Sequence, residues 1–369
     1  MPHCSELRIL LVAYPLLTVS EESAGGAEQV LWNLERELAG FGVKTTVAAS
    51  AGSSVSGELF STGEPSSQPD DFDRRNREHQ ERALELLERR AHEGKPFDLV
   101  HDHSGSFWPC AREIRCPVLA TLHLPRHFYP QEFFNDVPAN VSFICVSQSQ
   151  VHSFSDLDLM AGVVNNGIDL ERFSPGEGTR DGLLWLGRIC EEKAPHLALE
   201  IAEMAGMSIT LAGQVYPFSY HRQYFASEIA PRLKRLPQAR FQDSPTSKQK
   251  LRLLQSAEAV LLTSQVEETS SLVAMEAAAC GTPVIALRRG ALPEVVEDGV
   301  TGFLVETIAE AAAALRRIGQ ISLKACRKHA RTRFSNRRMT QDYLAAYERL
   351  MARKHLAAQG REDELQQAS

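Results

Sequence analysis

The sequence predicts an α/β protein made of two tandem doubly wound domains, each with a parallel, Rossmann-like sheet. The chain has 369 residues, which is longer than one domain usually needs. Short β-branched segments alternate with amphipathic helical ones, an order typical of right-handed strand-helix-strand crossovers. The alternation starts again after residues 165–182, a segment rich in Pro and Gly that indicates a connection between domains.

The first half of the chain contains a series of predicted strands separated by helices. The strand segments are RILLVA, KTTVAA, FDLVHD, PVLATLH and VSFICVS. Helices are expected from about Ala27 to Phe41 and across Arg82 to His92. Residues 51–80 are polar and rich in turn formers, so they are expected to form a mobile surface loop.

The second half repeats the pattern with the strand segments LLWLG, SITLAG, AEAVLLTS and PVIAL. Helices are predicted from Pro195 to Ala205 and after Ser271. We therefore predict one domain over residues 1–170 and a second over residues 171–338. A last helix within residues 339–356 is expected to pack back toward the first domain, and residues 357–369 are expected to form a polar tail.

The composition narrows the class of protein. Hydrophobic residues make up 43% of the chain and charged residues 24%, as in ordinary globular proteins, and the formal charge of -7 argues against nucleic-acid binding. The basic segment 316–338 could make weak peripheral contact with an anionic membrane, although a solvated helix face is the simpler interpretation. With no predicted membrane-spanning segment and seven scattered cysteines without a C-x-x-C pair, a cytoplasmic protein is expected.

Two glutamates with seven residues between them, Glu268 and Glu276, flank a run of hydroxyl residues. Ser270 or Ser271 can cap a helix that continues through LVAMEAAAC, which leaves Glu268 on the preceding loop and Glu276 inside the helix. One glutamate at a helix start and one at the surface is the ordinary interpretation. The free N–H groups of a helix N-terminus also bind phosphate, and a carboxylate on each side could then bind sugar hydroxyls. A nucleotide sugar presents its groups in that order.

Two further motifs are compatible with phosphate binding. Arg188 follows the predicted strand LLWLG, and Lys193 stands five residues later, immediately before a helix. The two cations could neutralise a departing diphosphate, or they could form a surface ion-pair group with neighbouring glutamates. Gly25 and Gly26 precede an amphipathic helix, so their backbone could approach a ligand closely, although a Gly-Gly pair is also a simple turn.

Taken together, GGAEQVLWNL, GRICEEK, NNGID and the Glu268–Glu276 segment followed by ACGTPVIA resemble the retaining glycosyltransferases of family 4, which have the GT-B fold. The resemblance extends from about Arg8 to Leu350. It implies an acceptor-binding N-terminal domain and a nucleotide-sugar-binding C-terminal domain. It also implies transfer of a hexose from a nucleotide diphosphate sugar without a metal ion or cofactor. UDP-glucose is favoured as the donor, while the choice between UDP, GDP and ADP stays open. The acceptor, whether small molecule, glycan or lipid, stays open.

The resemblance also implies roles for individual residues. Glu276 is expected to hold the ribose hydroxyls and Glu268 to contact the donor sugar, while Arg188 and Lys193 bind the diphosphate. His123 is implied as the active-site histidine near the donor sugar and acceptor. The donor-binding residues implied in this way are Gly25, Gly26, Arg188, Lys193, Glu268, Thr269, Ser270, Ser271, Leu272 and Glu276, and the catalytic ones are His123, Arg188, Lys193 and Glu268.

One departure from the family pattern concerns the donor-sugar pocket. Many members have Pro-Phe-Gly after the first glutamate, whereas this chain has Thr269, Ser270 and Ser271. The ETSSLVAMEA form is similar to a bacterial sub-branch described as UDP-glucose:tetrahydrobiopterin glucosyltransferase-like. The three hydroxyls could change which donor sugar the pocket accepts.

Two other functions remain as alternatives. His101, His103 and His123 stand at strand ends with a spacing that could ligate a catalytic zinc ion, as in a zinc hydrolase. Histidines at strand ends are more often polar cleft residues. A nucleotide-sugar-binding protein built on an inactive GT-B enzyme is the other alternative, which the intact Glu268, Glu276, Arg188 and Lys193 disfavour.

Overall fold

The chain forms two parallel sheets in succession, which confirms the predicted fold class. The computed structural model describes residues 7–367 apart from residues 24, 67, 69, 70, 158, 159 and 217. The chain leaves the first sheet at Val163 and enters the second at Leu183. The predicted inter-domain connection, residues 165–182, lies in this interval.

The first sheet contains seven parallel strands in the order β3-β2-β1-β4-β5-β6-β7. Its strands are β1 (Arg8–Val12), β2 (Lys44–Ala49), β3 (Glu58–Ser61), β4 (Leu99–Asp102), β5 (Val118–Leu122), β6 (Val141–Cys145) and β7 (Met160–Val163). Its helices are α1 (Gly26–Gly40), α2 (Phe72–His92) and α3 (Gln148–Ser153). Ile9 and Leu11 of β1 face one apolar core, and Leu10 and Val12 face the other, so both faces of the sheet are covered by buried side chains.

Residues 51–80 are not the mobile loop that their polar composition predicts. They contain β3, at the edge of the sheet, and the first turns of α2, which begins at Phe72 rather than near Arg82. The buried side of α2 is formed by Arg75, His79, Ala83 and Leu86, which lie on one helical face. Because the first two of these residues are polar, the apolar periodicity that marks a helix in sequence is absent from its N-terminal half.

The second sheet contains six strands in the order β10-β9-β8-β11-β12-β13, and all neighbours are parallel. Its strands are β8 (Leu183–Leu186), β9 (Ile209–Gly213), β10 (Ala239–Asp243), β11 (Ala259–Leu262), β12 (Val284–Leu287) and β13 (Gly302–Val305). The helices are α4 (Pro195–Ala205), α5 (Ser219–Tyr224), α6 (Ala230–Arg235), α7 (Ser247–Ser256), α8 (Leu272–Ala279), α9 (Leu292–Val295), α10 (Ile308–Leu315), α11 (Leu323–Arg333) and α12 (Asn336–Gln367). A short π-helical turn, Phe225–Ile229, joins α5 to α6.

Helix α12 returns to the first domain. Met339, Tyr343 and Tyr347 are completely buried in the same apolar core as α1 and β1. The Tyr347 hydroxyl lies 2.7 Å from His101 Nδ1, and the Tyr343 hydroxyl lies 3.1 Å from Thr121 Oγ1. The helix continues to Gln367, so residues 357–367, predicted as a polar tail, are helical.

No helix in the described part of the chain combines the length and the apolar character needed to cross a membrane.

Candidate functional site

A cavity of about 490 Å³ lies between the two domains, where the carboxyl ends of β8 and β9 face α1. In open parallel sheets this edge is the usual place for a ligand. Of the residues singled out in the sequence, Arg188, Leu272 and Glu276 line the cavity. Trp32 and Asn33 of α1 border it from the other domain.

Glu276 lies in the second turn of α8 and is only 2% exposed. Lys250 of α7 donates to its Oε1 atom over 2.6 Å, whereas Oε2 has no hydrogen-bond partner among the described residues. An unpaired buried carboxylate oxygen is costly, so it marks a position where a donor group of a ligand stabilises the site. Sequence analysis missed Lys250, because only the packing of α7 on α8 brings it within reach.

Arg188 follows β8, where two strand ends approach each other. A Cβ atom on Gly213, the last residue of β9, would lie 1.7 Å from the carbonyl oxygen of Gly187, so only glycine fits there. Arg188 is exposed at the cavity, its guanidinium lies 5.7 Å from the centre of the Tyr216 ring, and no carboxylate of the described residues forms a salt bridge with it. The cation is therefore free to bind an anion in the cavity.

Glu268 and Lys193 form the second group, just beyond the cavity lining. The Lys193 ammonium donates to Oε2 over 2.7 Å and to Oε1 over 2.5 Å. The turn at Gly290, with a φ of +52°, packs directly against the Glu268 backbone, and Ala291 N–H donates to the Glu268 carbonyl oxygen. The structure thus pairs two residues to which the sequence analysis assigned separate roles. A lysine ammonium has three donors, so one stays available for a diphosphate.

The hydroxyl run between the glutamates connects the domains. Thr269 Oγ1 donates to the carbonyl oxygen of His123 over 2.9 Å. Ser271 is the N-cap of α8, as predicted, and its hydroxyl accepts from Ala274 N–H. The Ser270 hydroxyl is buried without a partner among the described residues. Leu272 packs against the apolar cores of both domains and lies 3.8 Å from the position of a Cβ atom on Gly26.

The predicted glycine pair lies at the start of α1, and the first turn of this helix contains the carboxyl group of Glu28. Glu28 is 4% exposed, and a Cβ atom on Gly25 would lie 1.9 Å from its Oε2 atom. Burial raises the pKa of Glu28 to about 7, although its own backbone N–H opposes this. Near neutral pH this group can therefore release or accept a proton, and a phosphate approaching Gly25 and Gly26 encounters least repulsion when Glu28 is protonated. Sequence analysis missed this residue.

The half-buried His123 ends a chain of three imidazoles, of which His101 and His103 are buried. His123 Nε2 lies 3.0 Å from His103 Nδ1, and His103 Nε2 lies 3.2 Å from His101 Nδ1. Burial lowers the pKa of His123 to about 4 and holds the pKa values of His101 and His103 well below their usual range. With all three neutral, each N–H can point along the chain in either direction.

This arrangement does not support the zinc-hydrolase alternative. A three-histidine zinc site needs one nitrogen of each ring to converge on one point. Here His103 uses both of its nitrogens on its two neighbours, and His101 Nε2 lies 2.7 Å from Thr121 Oγ1. The rings act as hydrogen-bond partners of one another.

A second cavity, of about 460 Å³, lies away from the glutamate pair and is lined by basic residues of α11 and by Arg180. The guanidinium groups of Arg180 and Arg327 already donate to backbone carbonyl oxygens, among them those of Cys280 and Phe173. These two deeper cations support loops, and the carboxylates expected for sugar binding are not among the lining residues.

Both domains match family models of glycosyltransferases. Residues 24–172 match the family model described as Glycosyltransferase Family 4, and residues 168–338 match the one described as glycosyl transferases group 1. A D-inositol 3-phosphate glycosyltransferase of Mycobacterium marinum is 28% identical over 304 residues. That match covers 70% of this chain but only 65% of the relative's own length.

Solved structures with similar folds cover nearly the whole chain. Sucrose-phosphate synthase from Thermosynechococcus elongatus is 18% identical with a TM-score of 0.74, and the match covers 94% of this chain and 99% of that one. The Anabaena protein HepE in complex with UDP-glucose is 18% identical with a TM-score of 0.71, and the match covers 94% of this chain and 100% of that one. At these identities the likeness concerns the fold. Together with the family matches over residues 24–338, it identifies this chain as a GT-B glycosyltransferase of family 4.

Proposed function

We propose that this glycosyltransferase moves a hexose from a nucleotide diphosphate sugar, with UDP-glucose favoured, to an acceptor hydroxyl with retention of the anomeric configuration. The reaction needs neither a metal ion nor a cofactor. His123, Glu268, Arg188 and Lys193 are the catalytic residues. We further propose that the enzyme acts in the cytoplasm, on a small-molecule, glycan or lipid acceptor.

The observation that carries the proposal is the free oxygen of Glu276 at the cleft. One carboxylate oxygen is held by Lys250, and the other has no partner among the described residues although the side chain is 2% exposed. A ribose supplies two neighbouring hydroxyl donors, and a hydrogen bond to a charged group stabilises binding by about 1.5 to 3 kcal/mol. With its ribose at Glu276, a nucleotide sugar has its diphosphate near Arg188.

The charged groups then divide the work of transfer. As the bond from the sugar to the diphosphate breaks, negative charge grows on the leaving phosphate, and Arg188 and Lys193 stabilise it in the cleft. Glu268 holds Lys193 in place and offers its carboxylate to the sugar hydroxyls. The leaving phosphate accepts the proton of the acceptor hydroxyl on the same face of the sugar, which accounts for retention without a protein nucleophile.

Two observations support the choice of donor without fixing it. HepE, which shares the fold, was crystallised with UDP-glucose. In the present chain the proposed sugar-binding loop carries three hydroxyl residues, and the hydroxyl of Ser270 is buried without a partner among the described residues. A hydroxyl in that position can bind a sugar hydroxyl directly.

The test is calorimetric titration of the purified protein with UDP, GDP, ADP and UDP-glucose, without added metal. We expect micromolar binding of UDP and UDP-glucose and weaker binding of GDP and ADP. Failure of every nucleotide to bind, with and without magnesium, would overturn the proposal.

A second measurement separates an enzyme from an inactive binding protein. Glycosyltransferases release free sugar slowly from the donor when water replaces the acceptor, so we expect UDP-glucose to be hydrolysed and the released glucose to be initially the α anomer. Saturable binding with no hydrolysis and no transfer to any screened acceptor would favour the inactive alternative.

A further inference from the structure

Behind the Arg188–Lys193 segment, three potential metal ligands converge. Ligand atoms of Cys190, Glu192 and His221 all lie within 4.8 Å of one another. They are a thiol sulfur, a carboxylate oxygen and an imidazole nitrogen, which is a ligand set that zinc takes in proteins. Within the described residues, no other group of three His, Cys, Asp or Glu side chains meets this condition.

His221 is the most informative of the three. Its side chain is 1% exposed, and neither ring nitrogen has a hydrogen-bond partner among the described residues. Tyr220 packs against the ring with centroids 4.3 Å apart, and Phe218 with centroids 5.3 Å apart. Leaving two imidazole nitrogens unsatisfied in an apolar surrounding is costly, and a bound cation removes part of that cost.

The topology explains why these residues meet. Cys190 and Glu192 belong to the turn that follows β8, and His221 belongs to α5, which follows β9. Because β8 and β9 are parallel neighbours, their carboxyl ends and the segments after them lie side by side. The sequence separates the ligands by about 30 positions, so no local spacing motif reveals the site.

The charges around the cluster are compatible with a divalent ion. The Cys190 thiolate and the Glu192 carboxylate together cancel two positive charges. Arg188 is the nearby cation, and the Cys190 thiol donates to its carbonyl oxygen over 3.5 Å, a hydrogen bond that is lost when the thiolate forms. A neutral metal-ligand set therefore does not repel the guanidinium that faces the cavity.

We propose that Cys190, Glu192 and His221 bind one zinc ion, which fixes the turn carrying Arg188 and Lys193 to α5. On binding, the Sγ–H proton of Cys190 is released to solvent and an S–Zn bond forms. Arg188 and Tyr216 line the cleft cavity, and none of the three ligands does. The ion therefore has a structural role next to the donor site and takes no part in the transfer reaction.

The direct test is titration of the chelator-treated, reduced full-length protein with Co²⁺, which replaces zinc and gives a near-ultraviolet charge-transfer band when bound to a thiolate. We expect one Co²⁺ per chain, a thiolate band, and displacement of Co²⁺ by Zn²⁺. Cys190→Ser should abolish the band, and His221→Gln should weaken Co²⁺ binding by at least about tenfold, since one of three ligands is lost. Glu192→Gln removes the third ligand with nearly unchanged shape, so it still tests the site if either of the other variants misfolds.

The matched controls are a cysteine and histidines that lie outside the proposed zinc site. Cys326 is as buried as Cys190, and its thiol donates to the Thr301 carbonyl oxygen, so Cys326→Ser should keep the band. His196 Nδ1 lies 2.6 Å from the Tyr224 hydroxyl, so His196→Gln should keep the Co²⁺ affinity. Absence of stoichiometric Co²⁺ binding, a band that survives in Cys190→Ser, or loss of binding in His103→Gln would each overturn the proposal. None of these readouts requires activity.

Discussion

The two domains bury polar side chains in different ways. The N-terminal domain buries imidazoles: His79, His101 and His103 are 3% exposed or less, and their partners are neutral hydroxyls or other histidines. The C-terminal domain pairs charges at the cleft: Lys250 with Glu276 and Lys193 with Glu268. The buried imidazoles of the N-terminal domain are thus neutral at neutral pH, whereas the C-terminal side of the site carries paired fixed charges.

This difference fits a division of labour. Fixed charges stabilise a substrate whose charge grows during reaction, because they need no reorganisation at that moment. In the proposed reaction, neutral imidazoles add hydrogen-bond donors and acceptors on the N-terminal side without competing for the phosphate. The comparison therefore predicts that charge-removing variants of the C-terminal domain alter nucleotide chemistry. Variants and pH changes that affect His79, His101 or His103 should mainly alter stability.

The largest expected effect follows removal of the Lys193 charge. Lys193→Ala should lower the rate of UDP-glucose hydrolysis by about 10²- to 10³-fold, as the loss of one transition-state donor does elsewhere. The Michaelis constant should change much less, because the charge is needed most in the transition state. The exposed Lys248 provides the control, and Lys248→Ala should leave both constants unchanged. An equal loss of binding and turnover would instead assign Lys193 to ground-state binding.

Removing the Glu276 carboxylate should weaken nucleotide binding. Glu276→Ala is expected to reduce UDP affinity by about 1.5 to 3 kcal/mol, or roughly 10- to 150-fold, measured by calorimetry. The double variant with Lys250→Met should lose less than the sum of the two single changes, because the two groups pair over 2.6 Å. Unchanged UDP affinity in Glu276→Ala would contradict the ribose assignment.

The N-terminal imidazoles should make the protein sensitive to acid. Burial lowers the pKa of His79 to about 4, so between pH 6.5 and 4 the unfolded chain binds a proton that the folded chain does not. The free energy of unfolding should therefore fall as pH is lowered through this window, by about 1.6 kcal/mol between pH 6.5 and 5 for this one residue. Above about pH 7.5 the contribution of His79 to the pH dependence is close to zero.

Denaturant unfolding of the wild-type protein and of His79→Gln over this pH range checks the prediction. Glutamine can still bond with Thr62, whose hydroxyl lies 2.7 Å from His79 Nδ1, but it cannot take up the proton. The variant should show a shallower pH dependence. Parallel pH curves for the two proteins would show that His79 does not contribute.

The smallest effect is expected at the contact between the domains. Thr269→Val removes the hydrogen bond to the His123 carbonyl oxygen and nothing else of similar size, at a cost of about 0.5 to 1.5 kcal/mol. We expect kcat/KM for donor hydrolysis to fall by at most about tenfold. Thr269→Ser keeps the hydroxyl and should retain the wild-type value. A much larger loss in Thr269→Val would place this hydroxyl on the donor itself.

The sequence predicts an element correctly when all the residues that define it are close together in the chain. The helix α8 begins after Ser271 as predicted, since its N-cap and apolar residues are adjacent in sequence. The segment 51–80 was misjudged because β3 is a polar edge strand and because α2 buries Arg75 and His79 where apolar residues are usual. The position of Glu28 at the start of α1 could have been found from the sequence, because the Gly25–Gly26 pair is close to it. No motif in the sequence indicates that Lys250 belongs to the site.

The sequence by itself determined the two parallel-sheet domains and the family. It also determined that Arg188 follows a strand, that Lys193 precedes a helix, and that Glu268 lies on the loop before the helix that contains Glu276. These depend on periodicity, capping and spacing along the chain, which are local properties. Only the tertiary structure decided the partners. It gave Lys250 to Glu276, Lys193 to Glu268 and Tyr347 of the last helix to His101. It also brought His221 next to Cys190. The physical reason is that hydrogen bonds, ion pairs and metal ligation act over a few ångströms in space, whatever the separation in sequence.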